Sequence, residues 1–207
     1  MIESLKKEII KFGRLAGQKN LTPGISGNIS ARVDDKIIIT ASGSANGYLE
    51  EQDLVVIDLA GNIIEGSKRP SSEKLLHMKF YSMRPDIKSV FHVHSPYLTA
   101  FASSGNHLEN GISPEIIYCF GKIPLASYAL PGSEELVEET CQYFADCDAV
   151  LLENHGVIIG GSSVKQSYLN LELAEAYAKT IICTNFLGGA KILPDKEVEK
   201  IYLLRNK

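Results

Sequence analysis

Apolar residues recur at spacings of three and four at the start of the chain. Ile2, Leu5, Ile9, Phe12 and Ala16 fall on one face of a helix over residues 2–18. Proline and two glycines between Leu21 and Gly27 turn that pattern into a loop. From Ile29 to Thr40 the pattern predicts a hairpin, turning at Asp34-Asp35-Lys36 into Ile37-Ile38-Ile39. Residues 41–47 are a second loop of small residues. Leu54 to Asp58 and Asn62 to Ile64 read as short strands around Ala60-Gly61. The polar run at 66–72 is a third loop. It opens a helix from Glu73 to about Met83, with Ser71 or Ser72 as its cap.

Beyond it the pattern predicts a strand from Ile87 to Val93 and a short helix from Pro96 to Ser103. Glu115–Cys119 and Ile123–Ser127 read as strands. Ser133 precedes Glu134-Glu135, a capped helix start, and that helix runs to about Phe144. Asp148–Leu152 and Gly156–Ile159 read as buried strands. Ser162 to about Leu187 reads as one long helix, with Leu169, Leu173, Ala176 and Ala178 as core candidates. From Gly188 onward the chain reads as a polar tail. Strands stand both at hairpin spacing and separated by helices, which predicts a mixed α/β fold: one sheet covered by helices.

The chain has 207 residues, enough for one domain over 1–207 that buries about 70% of its unfolded surface. Net charge is −4, which argues against nucleic acid as a partner held by a basic surface. No apolar run reaches the length of a membrane span, and the first eight residues carry two acids and no apolar signal region. Cys119, Cys141, Cys147 and Cys183 show no Cys-x-x-Cys spacing and read as reduced thiols of a cytoplasmic protein, with a Cys141–Cys147 disulfide left open.

Three of the five histidines change the picture. His92 and His94, two apart at a strand end, point to the same face and could reach one metal; they could equally be two satisfied histidines. His155 follows the apolar run Asp148–Leu152 in Glu153-Asn154-His155-Gly156, a tight turn that could aim it into a cleft. Together the three supply the ligand set of a catalytic zinc with an open fourth position. Glu73 is a fourth candidate, although an acid in a helix first turn is favourable on dipole grounds alone. His77, four residues on, reads as a partner to the site rather than a ligand. His107 has no assigned role. Gly24–Asn28, Ala41–Ser44 and Ser71-Ser72 are each an ordinary turn or a cradle of amides and hydroxyls for a phosphate. No nucleotide-binding glycine motif is present.

Gly-Asn-Ile-Ser around 28, Ile-Thr-Ala-Ser-Gly at 39–43, Pro-Ser-Ser-Glu at 70–73, His-Val-His at 92–94, Tyr-Ala-Leu-Pro-Gly-Ser-Glu-Glu-Leu at 128–136 and Glu-Asn-His-Gly at 153–156 stand in a telling order. In that order they resemble the class II aldolase and adducin-head family, most closely its L-fuculose-1-phosphate aldolase branch, from about Leu5 to Leu187. The resemblance implies a three-layer α/β/α sandwich with a largely antiparallel central sheet. It implies zinc held by His92, His94, His155 and, at rest, Glu73, and phosphate bound by Asn28, Ser42, Gly43, Ser71 and Ser72. It also implies a homotetramer with active sites between subunits, where a neighbour's tyrosine acts as acid; Tyr118 is the best-matching position. The loop Ala-Ser-Gly-Ser-Ala-Asn-Gly lacks the proline common in the bacterial fuculose enzymes, and Tyr202 is the one tyrosine in the tail.

The activity implied is reversible cleavage of a small phosphorylated ketose, L-fuculose 1-phosphate foremost, to dihydroxyacetone phosphate and lactaldehyde. Glu73 would move the carbon-bound proton. A phosphopentulose 4-epimerase and a methylthioribulose-1-phosphate dehydratase are the alternatives within the family. A non-catalytic adducin-like head is disfavoured by the complete set of three histidines and Glu73.

Overall fold

The computed structural model describes residues 1–108 and 111–205. The described strands form one sheet: β1 (Asn28–Val33), β2 (Lys36–Thr40), β3 (Leu54–Asp58), β4 (Ile63–Glu65), β5 (Ser89–Val93), β6 (Leu125–Ala126), β7 (Ala149–Leu152) and β8 (Gly156–Gly161). Their order across the sheet is β4-β3-β2-β1-β5-β8-β7-β6. Every neighbouring pair is antiparallel except β6 with β7. The helices are α1 (Ile2–Gln18), α2 (Lys74–Met83), α3 (Pro96–Ser104), α4 (Pro114–Phe120), α5 (Glu134–Cys141), α6 (Val164–Phe186) and α7 (Asp195–Arg205).

Side-chain alternation along the central strands feeds two cores, one on each face. Ile29, Ala31, Phe91, Val93, Val157 and Ile159 pack with residues of α1, α3, α4 and α6. Ile37, Ile39, Val90, Val150 and Ile158 pack on the other face with Leu76, Phe80 and Tyr81 of α2 and Leu136 of α5. This is the expected three-layer sandwich. No described helix is long and apolar enough to cross a membrane, and all four cysteines are free.

Several local expectations are corrected. Residues 115–119 are not a strand but the body of α4. Pro114 takes the first helical turn, where its missing N–H costs nothing, and Ile116, Ile117 and Phe120 bury at helical spacing. The strand expected over Ile123–Ser127 shrinks to β6. The tail is not irregular: α7 forms with acids in its first turn and Arg205 in its last, the arrangement the helix dipole favours. It is tied down where the Tyr202 hydroxyl donates to the Gly121 carbonyl at 2.9 Å and Arg205 meets Asp148 at 3.3 Å. In α6 the buried stripe runs through Val164, Tyr168, Leu171, Ala174, Ala178 and Ile181, so Leu169 and Ala176 face outward while Ala178 is core as expected. Neither Ser71 nor Ser72 caps α2; its N-cap position is Glu73 itself.

The close packing of β1 on β5 fixes one glycine. Gly27 has φ +75°, and a Cβ there would lie 2.5 Å from the His92 carbonyl oxygen and 3.0 Å from Val93 Cα. Gly24, at φ +62°, has open space around the same position. Gly27→Ala therefore combines a left-handed backbone penalty with a backbone collision, and should cost about 3 kcal/mol in urea unfolding; Gly24→Ala, with the penalty alone, should cost about 1 kcal/mol. Equal losses would show that the approach to His92 is not the constraint.

Candidate metal centre

The site lies on the α2 face of the sheet, where β1, β5 and β8 meet. Asn28 of β1 pairs with His92 of β5, and His92 pairs in turn with Ile158 of β8. Phe91 and Val93 face the opposite core, so His92 and His94 share the α2 face. The turn between β7 and β8 delivers His155. Asn154 takes a left-handed conformation there (φ 54°), one that asparagine tolerates better than most residues. Gly156 behind it leaves room for its neighbours: a Cβ would come within 2.5 Å of the Val93 carbonyl oxygen and 2.7 Å of His94 Cδ2.

Glu73 enters from above. Its backbone N–H donates to Ser71 Oγ at 3.2 Å, and its buried side chain turns to the sheet. Asn28 Nδ2 donates to Oε2 at 2.9 Å. His92 Nε2 lies 3.1 Å from Oε2, and His155 Nε2 lies 3.4 Å from Oε1. His94 Nε2 is 3.3 Å from His92 Nε2. The three imidazoles meet edge-on, with ring centroids 4.7–5.1 Å apart and ligand nitrogens all within 4.8 Å of one another. His92 Nδ1 sits 3.1 Å from the Val157 carbonyl. A carbonyl only accepts, so Nδ1 carries the proton that fixes the ring and Nε2 faces the cluster.

The electrostatics suit a cation. Burial works against a charge on Glu73, but the His92 charge and hydrogen bond outweigh it, joined by His155 and Asn28, and hold the carboxyl well below its usual range. Burial also disfavours a charge on His92, yet Glu73 beside it raises its pKa. Burial, and then the His92 charge, push His94 and His155 down to about 4, so both imidazoles are neutral near pH 7. Glu73 Oε1 is buried and lacks a hydrogen-bond donor. Tetrahedral zinc with Zn–N bonds of about 2.0–2.1 Å requires nitrogens about 3.3–3.4 Å apart, which the His92–His94 separation matches. A divalent metal fits these residues, and the orphaned carboxylate oxygen is where it would be felt.

The other candidates fall around this centre. Asn28 gives its side-chain amide to Glu73, and its Oδ1 has no partner. The two serine loops are zipped into one rim: Ser42 N–H donates to the Arg69 carbonyl at 2.9 Å, and Ser71 N–H to the Thr40 carbonyl at 3.1 Å. Ser42, Gly43 and Ser72 are exposed on that rim; Ser71 is buried beneath it. His77 does not reach a cluster residue by a hydrogen bond. Its Nδ1 bonds Ser30 Oγ at 2.7 Å, which in turn bonds the Tyr81 hydroxyl at 2.7 Å, and burial lowers its pKa to about 3. Tyr118 is not brought to the cluster within one chain: it is half-exposed on α4, in the layer opposite α2. Two contributions escaped sequence reasoning, the Asn28–Glu73 bond and the Val157 carbonyl under His92. The one available signal was the polar alternation Asn28, Ser30 and Arg32 along β1, which puts Asn28 and Ser30 on one face.

Known proteins converge on the same reading. The family model of the class II aldolase and adducin N-terminal domain matches residues 7–182. A 5-deoxy-D-ribulose 1-phosphate aldolase of Bacillus thuringiensis serovar kurstaki is 32% identical, over 97% of this chain and 95% of its own. A 3-oxo-tetronate 4-phosphate decarboxylase of Haemophilus influenzae is 34% identical, over 97% and 98%. A solved L-fuculose 1-phosphate aldolase superposes with a TM-score of 0.91 at 31% identity, over 99% of this chain and 97% of that one. Class II aldolases are metal-dependent, and the cluster of His92, His94 and His155 beside the buried Glu73 carboxylate offers donors that could hold such a metal. Sequence, fold and donor set thus agree, and the chain belongs to the class II aldolase family of lyases.

Proposed function

We propose that the protein is a zinc-dependent aldolase that reversibly cleaves a 1-phosphorylated ketose, L-fuculose 1-phosphate foremost, to dihydroxyacetone phosphate and lactaldehyde. The observation that carries this is Glu73: an ionised, buried carboxylate against three histidines, with one oxygen unpartnered. Two relatives named as acting on sugar 1-phosphates support the substrate class. When bound by His92, His94 and His155, zinc supplies Lewis-acid stabilisation of the developing oxyanion.

The residues of the chain do the rest. The rim formed by Ser42, Gly43, Ser71 and Ser72, with Asn28 beside it, holds the phosphate and sets the reacting carbons in register, so binding energy is used away from the breaking bond. Glu73, beside the three histidines that would hold the metal, is the carboxylate placed to act on the substrate's carbon-bound proton. In cleavage, the hydroxyl on the aldehyde side loses its proton, the carbon–carbon bond breaks, and its electron pair stays on the phosphorylated fragment as an enediolate. Glu73 delivers a proton to that carbon; in synthesis it removes one. Tyr118, contributed by a second copy in a homotetramer, exchanges the hydroxyl proton at the aldehyde end.

The decarboxylase relative motivates a second reading. Loss of carbon dioxide from a 3-oxo-tetronate 4-phosphate leaves the same enediolate of dihydroxyacetone phosphate, so the same carboxylate and the same phosphate rim serve. Assay of both substrate types, with products identified, separates the two.

The wild-type, zinc-loaded protein should exchange one carbon-bound hydrogen of dihydroxyacetone phosphate with heavy water, stereospecifically and with no aldehyde present, followed by NMR. Glu73→Gln should abolish the exchange while the fold persists. No exchange by the wild type removes the aldolase reading, and exchange surviving in Glu73→Gln removes Glu73 as the base. Elemental analysis should find about one zinc per chain, lost in His92→Ala, because His92 is the fully buried donor that contacts Glu73 and is fixed by the Val157 carbonyl. Retention of metal by the His92, His94 and His155 single variants alike would place the site elsewhere. Tyr118→Phe should lower turnover by about 100-fold with the substrate KM little changed; normal turnover excludes the tyrosine, and sedimentation of a fully active monomer excludes the shared site.

A further inference from the structure

Glu175 is a buried acid that none of this chemistry uses. It lies midway along α6, on the stripe between Leu171 and Ala178, and is 7% exposed. Its Oε1 accepts from the Tyr97 N–H at 2.9 Å; its Oε2 accepts from the Leu98 N–H at 2.9 Å and the Ser95 hydroxyl at 2.8 Å. These are the first-turn donors of α3. Pro96 has no N–H, and the Thr99 N–H donates to the Ser95 carbonyl at 2.9 Å, so the Glu175 carboxylate takes both backbone donors that remain. Ser95 stands at the N-cap position yet makes no cap with its side chain; its hydroxyl goes to Glu175 instead. The cap of α3 is therefore supplied by another helix.

Ser95 follows His94 directly. The other two ligands have local anchors. His92 sits inside the β1–β5–β8 ladder with the Val157 carbonyl on its Nδ1. The turn of His155 is pinned by hydrogen bonds from the Glu153, Asn154 and His155 amides to Ala126, Ala102 and Leu152. His94 lies one residue past the last registered pair, Val93 with Val157, and the hydrogen bond given for its ring is to His92. Its main chain passes straight into the turn that Glu175 clamps.

We propose that Glu175 is a positioning residue of the metal centre, which fixes His94 by capping α3 from α6. The inference rests on the reading of His92, His94 and His155 as metal ligands. Zinc affinity of the full chain, measured by competition with a chromophoric chelator, and the visible spectrum of the cobalt(II)-substituted protein test it together. Glu175→Gln keeps the shape, but its NH2 cannot accept a hydrogen bond. It should weaken zinc binding about 10-fold or more and shift the cobalt bands. Adding Ser95→Asp, which puts an acceptor at α3's own N-cap, should recover part of both. A folded Glu175→Gln with wild-type affinity and spectrum overturns the proposal and leaves Glu175 a stabiliser of the fold. If that variant does not fold, Ser95→Ala, which removes one bond and keeps both amide caps, should weaken zinc about 3-fold; unchanged affinity there overturns the proposal as well. A wild type that binds no zinc removes the metal reading itself, and this inference with it.

Discussion

Glu73 is a carboxylate in a place where carboxylates do not stay charged without help. Burying an ionised carboxyl costs several kcal/mol or more unless it is paired, and the usual result is protonation. Here the Asn28 amide, His92 and His155 surround it and keep it ionised. The charge is balanced by one neighbour: His92 is pushed towards its cation, and that cation in turn helps to hold His94 and His155 neutral. The charge of Glu73 is thus met mainly from the His92 side, and its Oε1 remains without a hydrogen-bond donor. A dication at the same place balances the same carboxylate, relieves that oxygen, and finds neutral imidazole nitrogens already turned towards it.

The rest of the scaffold follows from holding this cluster together. Asn28 meets both His92, across the strand pair, and Glu73, from the helix above. That double role requires β1 and β5 to be close, which Gly27 permits. It also requires the start of α2 to sit over the same point of the sheet, which the hydrogen bonds between the Thr40–Ser42 and Arg69–Ser71 segments enforce. One turn further along α2, Ser30, His77 and Tyr81 form a second buried polar layer, set among the apolar residues of this face such as Leu76, Phe80, Val90 and Ile158. The opposite face is filled by the larger apolar core, within which Glu175 and Ser95 form the polar cap of α3.

What the sequence made legible was whatever depends on period and order. Strand alternation put His92 and His94 on one face without further information, and the turn after β7 pointed to His155 as their companion. The helix beginning at Glu73 was legible from its proline and serines. Partners distant in sequence were not. Asn28 and Glu73 are 45 residues apart, and Glu175 is 77 to 80 residues from the donors it caps. Alternation says which face a polar side chain occupies, not what it meets there. Glu175 did leave a trace, since an acid on the apolar stripe of a helix demands a partner. The stripe was read through Leu173 and Ala178, which do pack on the core, but also through the outward-facing Leu169 and Ala176, so Glu175 did not stand out on it. In α4, the β-branched pair Ile116-Ile117 outweighed the helix-starting Ser113-Pro114, and tertiary packing decided the matter. In α7 there is no buried face to detect.

These failures are not scattered evenly, and their position bears on substrate choice. Relatives of similar identity are named for cleaving off an aldehyde and for releasing carbon dioxide. Both reactions leave the electron pair on a phosphorylated three-carbon fragment. The end of the site that the two proposed reactions would share is the one where Glu73 and the histidines gather, built from β1, β5, β8 and the zipped serine loops. They would differ at the leaving-group end, where Tyr118 is the proposed acid. In this chain those pieces form a unit of their own: α4 carries Tyr118, and α7 is fastened to it through Tyr202 and to the sheet through Arg205 and Asp148. A substitution in α7 can therefore move Tyr118 without touching the metal ligands.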